Sequence, residues 1–209
     1  MKTIVCYGDS NTFGYNPNNG LRYDEFLIWP SVLQELLKDE YIVYNEGLNG
    51  RTTAYDRLED GKNGLKELVS TLEKYNSIDI LIFMLGTNDC CRDMNLSIDD
   101  ISLGLEQLLI TTKKYYQNKQ RSLPKMMIIV PARILDDYEK SPFAWQLDEN
   151  SIIKSSLLAK PYKMLADKYN CLYVDGTLLD VSKIDCEHLT KDGHRQLGNM
   201  VYETLRIVR

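Results

Sequence analysis

Short runs dominated by apolar, β-prone residues recur at about 2 to 7, 41 to 45, 78 to 85, 125 to 131 and 171 to 174. Between them lie longer stretches with apolar residues every three or four positions, at about 29 to 39, 62 to 75, 98 to 118, 151 to 169 and 190 to 207. The first pattern predicts strands and the second helices. Strands that alternate with helices predict a parallel sheet, because parallel neighbours need a crossover long enough to hold a helix. Ser97 ahead of Ile98-Asp99-Asp100, and Thr190 ahead of Lys191-Asp192, read as N-caps followed by acids in the first turn. Two stretches, about 14 to 28 and 132 to 150, read as long loops, of the kind that serve as lids or binding walls.

Right-handed crossovers place helices on both faces of such a sheet. The expected fold is therefore α/β, a three-layer α/β/α sandwich around a central parallel five-stranded sheet, with flavodoxin-like strand order. At 209 residues and 44% hydrophobic content, the chain is expected to form one domain, residues 1–209, with a full core of its own. Ligands of open parallel sheets bind beyond the carboxyl ends of the strands, which directs attention to the residues found there.

A formal charge of −5 argues against a nucleic-acid partner, and no apolar stretch approaches the roughly 20 residues of a membrane span. Lys113, Lys114, Lys119 and Arg121 read as a solvated helix end rather than an RNA surface. The first predicted strand begins almost at Met1, leaving no room for a secretory signal, so a cytoplasmic location is expected. Five cysteines, at 6, 90, 91, 171 and 186, are an odd, scattered set that fits a reducing compartment. A zinc site from Cys90, Cys91, Cys186 and His188 lacks paired ligand spacing, so no metal is expected. A neutral or mildly polar small molecule is the partner that suits this composition.

Four polar segments follow or flank the predicted strands. Tyr7-Gly8-Asp9-Ser10-Asn11-Thr12-Phe13-Gly14 places Ser10 on a sharp strand-to-helix turn, where a hydroxyl can act as nucleophile. An alcohol needs a base, and only His188 and His194 can supply imidazole. His188 has Asp185 three residues earlier, able to reach the far ring nitrogen and hold its tautomer; His194 lies at the start of the last predicted helix and reads as structural. An oxyanion needs donors, which the backbone N–H groups of Ser10 and Gly50 and the side-chain amide of Asn88 can provide. Asp89 reads as support for the Asn88 turn, and Arg51 as one half of a buried structural ion pair.

Gly8-Asp9-Ser10-Asn11, the Gly50 segment, Gly86-Thr87-Asn88-Asp89 and Asp185-x-x-His188 together resemble the four blocks of the SGNH (GDSL-like) hydrolase family, in family order across nearly the whole chain. The resemblance is closest to the short-chain arylesterase and acyltransferase branch, through Gly8-Asp9-Ser10-x-Thr12-Phe13-Gly14, Glu46-Gly47-Leu48-x-Gly50-Arg51-Thr52-Thr53 and Met84-Leu85-Gly86-Thr87-Asn88-Asp89. It implies Ser10, Asp185 and His188 as the catalytic triad and Ser10, Gly50 and Asn88 as the oxyanion hole, with Gly50 preferred to Gly47. It also implies an acyl-enzyme mechanism without metal or organic cofactor. Asn11 departs from the leucine expected at that position, which bears on how the first helix packs.

The function expected from these readings is a serine esterase acting on small short-chain esters, with acyl transfer as a second activity of the same machinery. A carbohydrate O-deacetylase is the alternative within the enzymes, and an inactive flavodoxin-like binding module the alternative from another class. Tyr15 and Cys91, next to the nucleophile and Asn88 turns, are expected at the acyl pocket. Phe143 and Trp145 are expected either to wall the pocket or to form a contact in a homo-oligomer.

Overall fold

A computed structural model describes residues 1–57 and 61–207. Five parallel strands, β1 (Lys2–Gly8), β2 (Tyr41–Gly47), β3 (Ile80–Met84), β4 (Lys125–Val130) and β5 (Leu172–Asp175), form one sheet in the order β2-β1-β3-β4-β5. That is the flavodoxin-like order. Among the described residues, seven α-helices accompany them: α1 (Ser10–Phe13), α2 (Trp29–Leu37), α3 (Gly64–Glu73), α4 (Ile98–Asn118), α5 (Glu149–Leu157), α6 (Ala159–Tyr169) and α7 (Lys191–Ile207).

The period-2 geometry of a strand divides its side chains between two cores. Val5, Tyr7, Leu81, Phe83, Ile128 and Val130 face one way and pack with Leu68, Leu72, Leu105, Leu109 and Tyr162 of α3, α4 and α6. Ile4, Cys6, Ile82, Met84, Met127 and Ile129 face the other way and pack with Trp29, Leu33, Leu197 and Val201 of α2 and α7. Both faces being covered explains why the strand runs are continuously apolar rather than alternating. Each fully buried aliphatic or aromatic side chain contributes about 1.5–3 kcal/mol, so the two layers dominate stability.

The caps are where the sequence places them. Ser97 accepts the Asp100 N–H while the Asp100 carboxylate accepts the Ser97 N–H, a full capping box, and the Thr190 hydroxyl accepts the Gly193 N–H at 3.1 Å. One expectation fails: the helix predicted over 151–169 is two helices, broken at Leu158. Pro161 has no N–H to continue the ladder, and in an unbroken helix its ring would collide with the carbonyl four residues back, that of Leu157. The strand expected over 78–85 is shorter, with Ile78 and Leu85 buried just outside it. The 14–28 loop is pinned by a Tyr15–Arg22 bridge, and the 132–150 loop contains a short 3-10 turn at Tyr138–Lys140.

After β1 the chain moves to β2 on one side, and later elements build out from β3 on the other. The resulting crevice lies at the carboxyl edge between β1 and β3, where such sheets bind ligands. Ser10 follows β1, Gly50 follows β2 and Asn88 follows β3.

Candidate active site

The turn that carries Ser10 is locked by close backbone approach. A Cβ at Gly47, the last residue of β2, would lie 2.1 Å from the Phe13 nitrogen and 2.5 Å from the Thr12 carbonyl carbon, so only glycine lets α1 rest on the strand end. Asp9 caps α1 through a 2.9 Å bond from the Asn11 N–H to Oδ1. Its burial lifts its carboxyl to about 6 against the pull of that bond. Ser10 opens α1 and is 7% exposed, so its hydroxyl is reached only through the adjoining cavity.

Ser10 Oγ lies 2.8 Å from His188 Nε2, and His188 Nδ1 lies 2.8 Å from Asp185 Oδ2. A carboxylate at Nδ1 fixes the proton there, leaving Nε2 to accept the serine proton. Asp185 is fully buried, and its Oδ1 accepts the backbone N–H groups of Glu187 and His188 at 3.3 and 3.2 Å. Burial lowers the imidazole pKa, but the Asp185 hydrogen bond and the charges of Glu187 and Asp185 outweigh it, and the net shift is upward. The Tyr15 ring lies over His188 with centroids 4.3 Å apart, and Phe143 meets it edge-on at 5.7 Å.

Asn11 has a defined task in this arrangement. Its Nδ2 donates to the Glu187 carbonyl at 3.1 Å, and its Oδ1 accepts the Leu189 N–H at 2.8 Å. One side chain therefore staples the Ser10 turn to both sides of His188, a pair of bonds that leucine could not make.

On the other side of Ser10, Asn88 Oδ1 accepts a 3.2 Å bond from Arg57 Nη1 while Asn88 Nδ2 donates to the Arg51 carbonyl at 3.1 Å. These partners set which end of the amide is which and leave one N–H for the cavity. Arg57 is held by Asp93 through bonds of 2.8 and 3.0 Å, and its Nη2 donates to Gln146 Oε1 at 2.8 Å. Asp89, fully buried, accepts the Thr53 N–H and hydroxyl, tying the Asn88 turn to the segment that carries Gly50. Gly50 has φ +79°, a left-handed conformation suited to glycine, and it lines the cavity.

The cavity has a volume of about 260 Å³. Ser10, Gly50, Asn88, His188, Tyr15, Phe143 and Trp145 all line it, so the structure brings together residues from 10 to 188. Cys91 does not. It is fully buried and belongs to the apolar core cluster, one residue past the short turn at Asn88–Cys90. Arg51 is buried but, among the described residues, not ion-paired as expected: it donates to the Gly8 carbonyl at 2.8 Å and to the Glu46 carbonyl, and its guanidinium stacks 4.1 Å over the Tyr7 ring.

Arg57, Gln146 and Glu187 line the same cavity and were missed by sequence reasoning. Glu187 lies inside the Asp185-x-x-His188 block, and Gln146 follows Trp145, so their neighbours carried a signal. Nothing local marks Arg57. Among the described residues, no cluster of His, Cys, Asp and Glu is arranged to hold a metal ion.

His194 is structural, as its position suggested. It is fully buried, its Nδ1 accepts the Trp29 N–H at 3.4 Å, and the Tyr23 ring meets it edge-on. Burial, reinforced by the charge on His188, lowers its pKa to about 3. A folded-state value below the unfolded one, about 6.5, means that the stabilisation is complete above that pH and is lost as the pH falls toward 3. Relative to His194→Gln, the wild type is expected to lose about 1.4 kcal/mol of unfolding free energy per pH unit between pH 6 and 4. Urea denaturation at three pH values measures this, and a pH-independent difference would contradict a neutral buried ring.

Comparison with known proteins bears on the fold and the family. No curated protein matches the chain in sequence. Among solved structures it is similar to a carbohydrate acetylesterase family member from Sinorhizobium meliloti, at 32% identity and TM-score 0.90, over 99% of this chain and 98% of that one. It is also similar to the aryl esterase of M. smegmatis, at 28% identity and TM-score 0.91, and to Est24, a carbohydrate acetylesterase from Sinorhizobium meliloti, at 25% identity and TM-score 0.91, each over the full length of both chains. The model of the GDSL-like Lipase/Acylhydrolase family matches residues 6–196, a span that holds all four polar segments at the sheet edge, and the chain belongs to that family.

Proposed function

We propose that the chain is a serine esterase that hydrolyses small, short-chain carboxylic esters through an acyl-enzyme on Ser10, and that residues 1–209 form one hydrolase domain. The observation that carries the proposal is the continuous hydrogen-bonded line from Ser10 Oγ through His188 to Asp185, with 2.8 Å at each step, opening on a cavity of about 260 Å³. As Ser10 attacks the ester carbonyl, His188 Nε2 takes its proton, and Asp185 stabilises the imidazolium. The carbonyl oxygen becomes an oxyanion held by the backbone N–H groups of Ser10 and Gly50 and by Asn88 Nδ2. His188 then returns the proton to the leaving alcohol, and water repeats the sequence on the acyl-enzyme.

A cavity of this size, at the low end for small-molecule sites, with Tyr15 and Phe143 close to His188, suits a short acyl group. The neighbouring carbohydrate acetylesterases favour sugar acetates as a second reading, since the same residues would serve and only the alcohol differs. Five free thiols accord with work in a reducing compartment such as the cytoplasm. No described helix is long and apolar enough to cross a membrane.

The test is hydrolysis of a p-nitrophenyl ester series from acetate to octanoate, with and without chelator. kcat/KM is expected to be highest at acetate or propionate, to fall about tenfold or more by octanoate, and to ignore the chelator. Rates that hold or rise to octanoate would overturn the short-chain assignment, and absence of turnover on every ester, sugar acetates included, would overturn the esterase.

A further inference from the structure

Glu187 is a carboxylate that the proposed reaction does not use. It is 5% exposed, yet it lines the cavity beside Ser10 and His188. Its Oε1 accepts a 3.1 Å bond from Gln146 Nε2, and Gln146 Oε1 in turn accepts from Arg57, which Asp93 anchors. The chain Asp93–Arg57–Gln146–Glu187 therefore presents the carboxyl in a fixed orientation. Glu187 Oε1 is 4.0 Å from His188 Nδ1, too far for a hydrogen bond, so the group is not a second partner for the imidazole. No bond to Oε2 exists among the described residues. That oxygen is left to accept from a group that enters the cavity.

We propose that Glu187, held by Gln146, binds a hydroxyl on the alcohol portion of the ester, so that the enzyme selects esters of hydroxylated alcohols over esters of plain alkyl alcohols. This rests on the esterase reading above and deepens it. Two features decide the chemistry. His188 delivers its proton to the leaving oxygen, so the alcohol lies on the His188 side of Ser10, the side that Glu187 shares. Asn49, Asn88 and Gln146 line the same cavity, so its wall offers neutral hydrogen-bonding groups suited to a hydroxylated alcohol. Burial raises the Glu187 carboxyl to about 7, countered in part by His188. Near neutral pH it can thus accept from a hydroxyl or donate to one. Trp145, 56% exposed at the same cavity, adds an aromatic surface for the carbon skeleton of a polyol or sugar.

The experiment compares 2-hydroxyethyl acetate with propyl acetate, a pair in which a hydroxyl replaces a methyl. The ratio of their kcat/KM values is read for wild type, Glu187→Gln and Glu187→Met; a ratio cancels any loss common to both esters. The wild-type ratio is expected to favour the hydroxylated ester, to fall about tenfold or more in Glu187→Met, and to fall several-fold in Glu187→Gln, which keeps the shape and the Gln146 bond but loses the charge. A wild type without preference, or a ratio unchanged in the variants, would overturn the hydroxyl site while leaving the esterase standing. Should Glu187→Met not fold, the isosteric Glu187→Gln decides by itself. Failure of the wild type on both esters, on the nitrophenyl series and on sugar acetates would instead remove the esterase reading.

Discussion

Ser10→Ala is expected to lower kcat on p-nitrophenyl acetate by about five to six powers of ten, with the melting temperature nearly unchanged. The magnitude follows from what the hydroxyl does: without it there is no acyl-enzyme, and what remains is catalysis of direct water attack by the oxyanion donors and binding. The structural consequence is small, because the side chain makes one bond, to His188 Nε2, and leaves a cavity already open to solvent. His188→Ala is expected to lose about as much, and the double variant Ser10→Ala/His188→Ala no more than either single one, since the two act as a unit. Turnover assays with active-site labelling by an activated organophosphonate measure both points. Retention of more than about one per cent of activity in Ser10→Ala would remove Ser10 as nucleophile, whatever the geometry suggests.

Asp185→Asn is expected to cost about four powers of ten in kcat with KM little changed. The carboxylate accepts from His188 Nδ1 at 2.8 Å, and an amide nitrogen in its place would donate instead, driving the ring proton to Nε2, where it blocks acceptance from Ser10. The pH profile adds a readout that simple misfolding would not produce. Asp185 is among the groups that raise the His188 pKa, so its loss should move the acidic limb of kcat/KM to lower pH. Glu187, 4.0 Å from Nδ1, contributes only its field and cannot hold the tautomer. A loss of less than tenfold would show that the imidazole is oriented by something other than Asp185.

Much of the site was legible because its parts are local. Asp185 and His188 are three residues apart on one loop, Ser10 directly follows the first strand, and Asn88 follows the third; strand assignment together with the parallel-sheet rule places them on one edge. Cys91 shows where adjacency misleads. One residue past the Asn88–Cys90 turn, its side chain falls in the core, and no periodicity extends across a turn that short to say so. Arg51 was misjudged for a related reason: its partners are two backbone carbonyls and a ring face, none of which carries a charge to look for.

The amino-acid sequence by itself determined the alternation of strands and helices, the capped starts of α4 and α7, and which polar residues stand just beyond the strands, because each depends on side-chain period or on the turn chemistry of a few neighbours. The tertiary structure alone decided the pairing of Asn11 with Leu189, Arg57 with Asn88 and Gln146 with Glu187, which are 178, 31 and 41 residues apart. Such bonds form only after the sheet and its helices have packed and brought distant loops within 3 Å or so of one another. That packing turns three strand-end residues and a histidine loop into one oriented cavity.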